Sequence, residues 1–246
     1  MAFKLAEAVN LPVMVVLDAF YLSHTYEPID ISSQDQADNF LPQPSPRFRL
    51  DTDDPFNFGQ LAQPGVYTEM RYNMELAMNE ALDRYSAVTA EFSQHFGRSH
   101  QPVEALHCED ADIILITSGT VSATASITLS ELRQRGERVG LLKMRMFRPF
   151  PVALIRRFLA GADRVAVVDR NFSFGAGGIF AQEIRAALCN HQPHPQVFGY
   201  IAGLGGRDIT PQTIEDIYRK TQMATDPPVT AEWIDLNQEQ IEQWYQ

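Results

Sequence analysis

A glycine-rich stretch directly after an apolar run is the first place where this sequence could do chemistry. The run 165–168 is followed by NFSFGAGGIFAQEI at residues 171–184, which holds Gly175, Gly177 and Gly178. A strand, a glycine loop and an amphipathic helix in that order form nucleotide-phosphate sites, because the backbone N–H groups at the helix start bind anions. The stretch therefore predicts either a dinucleotide site or a loop whose glycines serve packing.

The full pattern of a dinucleotide fingerprint is not met. That fingerprint is G-x-G-x-x-G after the first strand of its domain, with an acid at the end of the next strand. Here position 180 is Phe180, the loop follows the third strand, and the next strand ends at 203–205 without an acid. We therefore favour backbone geometry for the 175–178 loop, with Phe172 and Phe174 placed to contact a neighbouring subunit.

An arginine pair and a second glycine stretch follow two other strands. Arg145 and Arg148 lie in RMFRPFP at 145–151, where they could hold a carboxylate or phosphate bidentately. On an acidic protein, pairing with the acids of a partner or of the linker is the favoured interpretation. GLGGRD at 203–208 allows the same two interpretations as the first glycine loop, and we again favour backbone geometry with an interface role.

The histidines and cysteines form no recognisable catalytic or metal-binding set. His24, in LSHT, has no identified acid or nucleophile, and His191 and His194 stand beside prolines in a predicted surface loop. Cys108 and Cys189 belong to no C-x-x-C pair, so metal and iron–sulfur spacing is absent and both are predicted to be buried free thiols. The sequence therefore assigns no catalytic, cofactor-binding or metal-ligating residue.

Alternating strands and helices predict the scaffold that positions these loops. Strands are predicted at 111–118, 138–144, 164–169 and 196–203, and helices at 121–135, 151–159, 178–189 and 210–222. Four successive β–α units predict an α/β fold with a doubly wound parallel sheet and helices on both faces. Thr210 and Pro211 are suited to start the last helix as N-cap and first residue.

The first 25 residues do not form a complete unit in this interpretation. Residues 2–9 are predicted as the end of a helix, and LPVMVVL at 11–17 as a strand buried on both faces. One helix and one strand cannot enclose a core. Residues 1–25 are therefore expected to be the tail of an α/β domain whose beginning is missing, and to dock on another chain or on the body of this one.

The next segments are predicted as a linker and a long helix. Prolines among polar residues indicate a linker at 26–68 that wraps over a surface and is not helical. An apolar stripe predicts a helix at 69–96, with Thr68 as N-cap and Gly97 as its end.

The acidic tail at 226–246 carries five acids and no Lys or Arg. It is expected to be anchored to a neighbour by its apolar residues, Trp233, Ile234, Ile241, Trp244 and Tyr245.

Composition limits the classes of partner. The chain has 246 residues, a formal net charge of −11 and a hydrophobic content of 45%. The charge argues against nucleic acid and an anionic membrane surface. With no apolar run of membrane length and no signal-peptide pattern, we expect a cytoplasmic protein.

Six stretches stand together in the order in which one family has them. They are LPVMVVLDAFYLSHTYEPIDI (11–31), FGR (96–98), VEALHCEDADIILITSGTVSATA (103–125), GLLKMRMFRPFP (140–151), VVDRNFSFGAGG (167–178) and YIAGLGGRDIT (200–210). From residue 2 to about residue 222 the sequence resembles the alpha chain of pyruvate:ferredoxin oxidoreductase, a thiamine-diphosphate enzyme. LSHT and RMFRPFP look more like the pyruvate branch of the family than the 2-oxoglutarate branch.

The resemblance implies a domain plan. Residues 1–25 would be the tail of the domain that binds the pyrimidine half of thiamine diphosphate, and 26–68 the wrapping linker. Residues 69–225 would form a domain similar to the C-terminal domain of transketolase, followed by the acidic and aromatic tail at 226–246. The family's cofactor-activating glutamate and pyruvate-binding residues lie in the part that is absent here, so none is carried over to this sequence.

The resemblance also implies a reaction and partners. The complete enzyme would decarboxylate pyruvate oxidatively to acetyl-CoA and pass the electrons to ferredoxin, using thiamine diphosphate, Mg²⁺, [4Fe–4S] clusters and CoA. This chain would be a structural and subunit-interface component that binds none of these cofactors alone. It would assemble with the other subunits, including a chain that carries the missing pyrimidine-binding half. The alternatives are a non-catalytic interaction module derived from the fold, or a nucleotide-binding domain using the 175–178 loop.

Overall fold

The computed structural model describes residues 1–41, 43, 48–55 and 57–244. It contains two compact units, Met1–Pro102 and Val103–Gln246. The candidate loops after the predicted strands all belong to the second unit, and this unit holds the sheet.

The second unit is built on one six-stranded sheet. Its strands are β1 (Val103–Leu106), β2 (Ile113–Ser118), β3 (Val139–Met144), β4 (Arg164–Asp169), β5 (Gln196–Ile201) and β6 (Glu232–Trp233). They lie in the order β1-β3-β2-β4-β5-β6, with β1 antiparallel to β3 and every other pair parallel. The predicted α/β fold with a mostly parallel sheet is therefore confirmed.

Helices cover both faces of this sheet. They are α4 (Val121–Gln134), α5 (Val152–Leu159), α6 (Ile179–Leu188) and α7 (Pro211–Met223), and a last short helix, α8 (Gln238–Trp244), follows β6. One buried cluster joins α5 and α6 to the sheet, and a second joins α4 and α7 to the opposite face. Strand β4 shows why both faces are apolar, since Val165 and Val167 enter the first cluster while Ala166 and Val168 enter the second.

Local sequence signals set the boundaries of several helices as predicted. Thr210 accepts a hydrogen bond from the Thr213 backbone N–H at 3.1 Å, and Pro211 occupies the first helical position of α7. The two-residue strand β6, the edge strand β1 and α8 were not predicted, because they are too short to show a periodic pattern.

The first unit is helical in its regular part. It contains α1 (Ala2–Val9), α2 (Gln34–Phe40) and α3 (Pro64–Phe96). Helix α3 ends at Gly97, whose φ of 66° is left-handed as expected of a glycine stop. It begins at Pro64 after the N-cap Gln63, so the predicted N-cap Thr68 is wrong, because proline at the first helical position starts the helix a turn earlier.

The predicted strand at 11–17 is not formed. These residues are extended without strand pairing, and Met14 and Val16 are 85% and 77% exposed. A strand needs a neighbouring strand to satisfy its backbone groups, and the described residues of the first unit offer none. The helix predicted at 2–9 is confirmed and packs through Leu5 and Val9.

The predicted linker is partly helical, which corrects the expectation for 26–68. Ser33 and Gln36 form a capping box that starts α2, and Phe40 at its end is buried with its ring 5.4 Å from that of Phe92 in α3. Phe40 therefore packs onto a helix as expected of the segment's apolar residues, whereas Leu50 and Phe58 are 83% and 52% exposed. Residues 42, 44–47 and 56 of the linker lie outside the described residues.

The domain boundaries implied by the resemblance stay predictions. The structure places α3 in the compact unit Met1–Pro102, whereas the predicted domain 69–225 joins it to the sheet. In the tail, Trp233 lies in β6 and Trp244 is largely exposed, while Tyr245 lies outside the described residues.

No helix in the described part of the chain combines the length and the apolar character needed to cross a membrane.

Candidate functional site

The four candidate loops lie at the carboxyl end of the sheet, where open parallel sheets bind ligands or partners. The chain leaves β2 towards β3 on one side and later returns to β4 on the other side, so the topological switch point lies between β2 and β4. Arg170, after β4, donates a hydrogen bond at 3.1 Å to the Thr120 hydroxyl, after β2. The loops on the two sides of the switch point are therefore joined by a side-chain contact.

The glycine loop is organised around Asp169, the last residue of β4. Its carboxylate accepts hydrogen bonds from the backbone N–H groups of Phe180 at 2.9 Å and Ala181 at 3.0 Å. The Asn171 side-chain oxygen accepts from the Ile179 N–H at 2.9 Å. These three donors are the first N–H groups of α6, which a bound phosphate would need.

This arrangement decides between a nucleotide site and a packing role for the glycine loop. A carboxylate of the chain itself occupies the anion-binding end of α6, so the N–H groups there are not offered to a nucleotide. Gly178 makes this possible, because a Cβ on it would lie 2.1 Å from Asp169 Oδ2. The glycine is therefore required for close packing, which supports the interpretation from backbone geometry.

Burial dominates the electrostatics of Asp169. Its side chain is fully buried, and burial raises its pKa despite the two backbone hydrogen bonds, which lower it. Arg185, one helical turn further along α6, adds a favourable Coulomb interaction. A raised folded-state pKa means that this group stabilises the fold at low pH, and that the contribution is lost as pH rises through the folded-state pKa.

The tip of the glycine loop is a tight hairpin. Ser173 donates to the Gly177 carbonyl at 2.9 Å, and the hairpin presents Phe174 with 93% of its surface exposed. Phe172, behind it, has its ring 5.0 Å from Phe174 and 4.7 Å from Trp233. The loop therefore places an aromatic side chain in solvent on a hydrogen-bonded support.

The predicted arginine pair is used inside the second unit. Arg145 lies 3.5 Å from Glu104, and Arg148 forms an ion pair with Glu183. The Arg148 guanidinium also lies 4.2 Å from the centre of the Phe147 ring. These partners are acids of β1 and α6 in the same unit, which differ from the predicted acids of a partner or of the linker.

The second glycine stretch also has a packing reason. Gly203 has a φ of 71°, and a Cβ on it would lie 2.7 Å from Ile209 Cδ1. Arg207, at the end of this stretch, donates to the Asp235 carbonyl. The glycines thus shape the turn into α7, and Arg207 attaches the tail to that turn.

His24, for which the sequence identifies no acid or nucleophile, is exposed and makes local contacts. His24 Nδ1 lies 2.7 Å from the Ser23 hydroxyl, and its ring stacks on Phe20 at 4.9 Å. Both contacts are made within residues 20–24, so the geometry is that of a local turn.

The cysteine prediction is half correct. Cys108 is buried, and burial raises the pKa of its thiol to about 11. Cys189 is exposed, because it lies just beyond the last residue of α6.

We expect one thiol of the native chain to react with a disulfide reagent at neutral pH, and two after denaturation. The reactive species is the thiolate, which burial and a raised pKa suppress at Cys108. A Cys189→Ser variant serves as the control and should show no fast phase. Two thiols reacting at equal rates in the native chain would contradict the assigned burial.

The opposite end of the sheet carries a shallow polar cleft of about 310 Å³. There Glu137 accepts hydrogen bonds from the Tyr218 hydroxyl at 2.8 Å and from Arg219 at 2.6 Å. The Tyr218 contact, followed by Arg219, lowers the pKa of Glu137. Because Glu137 pairs with Arg219 and Asp112 pairs with Arg138, we interpret this region as an ion-pair network in which Glu137 joins α7 to the turn before β3.

We expect Glu137→Gln to lower the free energy of unfolding at pH 7 by roughly 1 kcal/mol, the usual value for a hydrogen-bonded charge. Since the folded-state pKa is lowered, wild type keeps this advantage above the ordinary glutamate pKa near 4.3 and loses it as pH falls below that value. Urea titrations from pH 7 to pH 3 measure the difference in stability between wild type and variant, and Glu131→Gln, at an exposed position, is the control. A difference that grows on acidification would contradict the assignment.

Among the residues whose placement is described, no three His, Cys, Asp or Glu side chains lie close enough together to hold a metal ion. With two cysteines in the sequence, the chain also cannot supply the four thiolates of a [4Fe–4S] cluster.

Asp169 was not singled out from the sequence, although it has the clearest role at this end of the sheet. The available signal was an acid at the end of a buried strand, followed within twelve residues by the start of a helix. Such an acid can fold back onto the N–H groups of the helix.

Two family models match consecutive parts of the chain. "Pyruvate flavodoxin/ferredoxin oxidoreductase, thiamine diP-bdg" matches residues 1–89, and "Pyruvate:ferredoxin oxidoreductase core domain II" matches residues 111–214. The first match lies in the helical unit and the second lies on the sheet. The two models thus stand in the order in which the resemblance predicted the two kinds of domain.

Curated relatives match most of the chain. Pyruvate synthase subunit PorA of Methanothermobacter thermautotrophicus is 45% identical over 231 residues, which cover 94% of this chain and 58% of that protein. Ketoisovalerate oxidoreductase subunit VorA of Pyrococcus abyssi is 41% identical over 219 residues, covering 88% and 55%. The chain therefore spans between one half and two thirds of the length of these relatives.

A solved structure shares the fold. The 2-oxoglutarate:ferredoxin oxidoreductase from Magnetococcus marinus superposes with a TM-score of 0.50 and 18% identity, over 77% of this chain and 29% of that chain.

Proposed function

Because the chain belongs to the pyruvate:ferredoxin oxidoreductase alpha-chain family, we propose that it is a component of an enzyme that decarboxylates pyruvate oxidatively to acetyl-CoA and reduces ferredoxin. The observation that carries this proposal is the pair of consecutive family models at 1–89 and 111–214. The relative named pyruvate synthase subunit, at 45% identity, supports pyruvate as the substrate. The proposed location is the cytoplasm.

The cofactors of the proposed enzyme are thiamine diphosphate, Mg²⁺, [4Fe–4S] clusters and CoA. Thiamine diphosphate would supply the carbanion-stabilising chemistry of decarboxylation. No reaction step is assigned to the side chains of this chain. The proposed role of this chain is structural: its sheet unit and its helical unit dock onto the subunits that hold the cofactors.

The proposed partner is a subunit carrying the rest of the pyrimidine-binding domain. The segment 11–17 supports this, since it is a continuous β-branched apolar run that lies exposed. Its exposed apolar members, Val13, Met14, Val15, Val16 and Leu17, form a hydrophobic patch of the kind that marks a protein interface. Pairing with a parallel sheet of the partner would satisfy the backbone groups of the segment, and the helices packed on that sheet would cover its two faces.

This proposal is tested by co-expressing the tagged chain with the other oxidoreductase subunits and measuring recovered partner and bound thiamine diphosphate. We expect Val15→Asp to lower the recovery of both about tenfold or more, because it places a charge in an apolar contact. Ile127→Asp, on the exposed side of α4, is the matched control and should assemble normally.

Two results would reject the proposal. One is that wild type recovers no oxidoreductase subunit. The other is that Val15→Asp assembles as well as Ile127→Asp, which would remove the segment 11–17 from the interface.

A second substrate is favoured by one observation. The relative named ketoisovalerate oxidoreductase subunit is 41% identical, close to the value for the pyruvate relative. The alternative is therefore an enzyme for a branched 2-oxoacid. Comparing kcat/KM of the assembled complex for pyruvate and for 2-oxoisovalerate decides between them: a ratio above one supports pyruvate, and a ratio below one supports the alternative.

A non-catalytic interaction module remains the candidate from another class. Such a module would keep the family fold but take no part in the reaction. A complex that assembles but reduces no ferredoxin with any 2-oxoacid would support it. The nucleotide-binding alternative is disfavoured by the hydrogen bonds of Asp169 and Asn171, which occupy the first N–H groups of α6.

A further inference from the structure

The carboxyl end of the sheet has the composition of a protein interface. We call the loops 118–122, 145–151, 170–178 and 203–208 the carboxyl edge. These loops hold four arginines, four phenylalanines, no Lys or Glu and one Asp, namely Arg145, Arg148, Arg170, Arg207, Phe147, Phe150, Phe172, Phe174 and Asp208. Aromatic residues and Arg are enriched at the centres of interfaces, where Lys, Glu and Asp are depleted.

The carboxyl edge presents Phe174 in a fixed position. The hairpin from Ser173 to Gly177 is closed by backbone hydrogen bonds of 2.9 Å and 3.0 Å. A Cβ on Gly177 would lie 3.4 Å from the Thr230 backbone, so the base of the hairpin packs closely on the tail. An exposed side chain on such a support loses little conformational freedom when a partner binds, which favours affinity.

A second aromatic and an arginine stand at the same end of α6. The Phe147 ring lies 5.1 Å from that of Phe180, in the first turn of α6, and the Arg148 guanidinium covers Phe147. Arg148 pairs with Glu183, yet half of its side chain remains exposed. A guanidinium offers five N–H donors, so it can bind a further carboxylate while keeping its internal partner.

Charge identifies the kind of partner. Four arginines and one aspartate give the carboxyl edge a formal charge of +3, and Glu104 and Glu183, which pair with Arg145 and Arg148, reduce it to +1 within a chain of −11, so the remaining residues carry −12. A surface of opposite sign to the rest of the protein selects an acidic partner and one orientation. Phosphate is disfavoured as the ligand of α6, because Asp169 and Asn171 already accept from its first N–H groups.

We propose that the carboxyl edge is a docking surface for an acidic face of another oxidoreductase subunit, with Phe174 inserted into an apolar pocket and the arginines facing carboxylates at its rim. The inference rests on the proposed function, since the partner is a subunit of that complex. It is separate from the interface proposed for the segment 11–17, which belongs to the other compact unit.

The test uses the co-expressed complex. The dissociation constant is measured for wild type, Phe174→Ala and Met223→Ala, at low and at moderate salt. Met223 is the matched control, because it is a 75% exposed apolar residue at the far end of α7. We expect Phe174→Ala to raise Kd at least about tenfold, as for an aromatic anchor, and Met223→Ala to leave it unchanged. Amide hydrogen exchange of 170–178 should slow in the wild-type complex.

The outcomes separate the two proposals. If the subunits assemble and Phe174→Ala binds like Met223→Ala, the docking surface is rejected while the proposed function stands. If wild type recovers no oxidoreductase subunit, both are rejected. Because Phe174 is almost fully exposed, the variant should keep the thermal midpoint of wild type, and a folded variant with weakened binding supports the inference.

Discussion

Asp169→Ala is expected to lower the free energy of unfolding by about 3 kcal/mol. The substitution leaves two buried N–H groups without acceptors, and the removal of a buried charge offsets part of that loss. The Asp169 carboxylate accepts from the second and third residues of α6, and its side chain is fully buried. No water can reach these donors easily to replace it. Urea denaturation of the full chain at pH 7 measures the change.

The matched control for this prediction is Asn171→Ala. Asn171 accepts from one N–H group of the same helix and is only half-buried, so we expect a loss of about 1 kcal/mol, as for an ordinary helix cap. Equal losses of unfolding free energy for the two variants would contradict the assignment of Asp169 as the main acceptor at the start of α6. Unchanged stability of Asp169→Ala would mean that the glycine loop is held by other contacts.

Gly178→Ala is expected to lower the free energy of unfolding by about 3 kcal/mol or more. Overpacking a rigid, buried site costs at least as much free energy as inserting a methyl group into an ordinary core. The added Cβ would lie 2.1 Å from Asp169 Oδ2 and 2.5 Å from its Cγ. Gly178 has an ordinary φ of −69°, so the effect comes from contact and not from backbone strain.

Gly175→Ala is the control that separates these two causes. Gly175 has a φ of 77° with nothing within 4 Å of an added Cβ, so only left-handed strain of about 1 kcal/mol is expected. In an Asp169→Ala background, Gly178→Ala should cost less than in wild type, since the carboxyl atoms that it meets are gone. An additive double mutant would show that Gly178 is needed for another reason.

The sheet could be predicted from the sequence because its signals are local and repeated. Each central strand is a short apolar run such as that of β4, and the helices that follow have periodic stripes and boundary signals such as the N-cap Thr210 of α7. Strands β1 and β6 have four and two residues, too few for any period to appear. Their positions depend on pairing with β3 and β5, which is a tertiary effect.

The predicted strand at 11–17 shows that a local sequence signal is not sufficient to form a strand. Its apolar, β-branched run indicates a buried strand, yet strand structure requires a paired neighbour, and this part of the chain is exposed. The local signal describes the environment that the segment is suited to. The proposed partner subunit would provide that environment.

The role of the glycine loop depended on a contact that the glycine spacing does not encode. Gly175, Gly177 and Gly178 suggested a phosphate site, while the residue that decides the matter is Asp169, six positions before Gly175. Only the three-dimensional arrangement shows that the carboxylate turns onto the start of α6. The sequence nevertheless disfavoured a dinucleotide site, because the third glycine of the fingerprint and the acid after the next strand were both absent.

The measurement that tests the account most directly is pyruvate-dependent reduction of ferredoxin by the co-expressed oxidoreductase subunits, with and without this chain. We predict that activity requires the chain and returns when the purified chain is added back, and that the chain alone shows none. Equal rates of ferredoxin reduction in the presence and absence of the chain would contradict its assignment as a component of this enzyme.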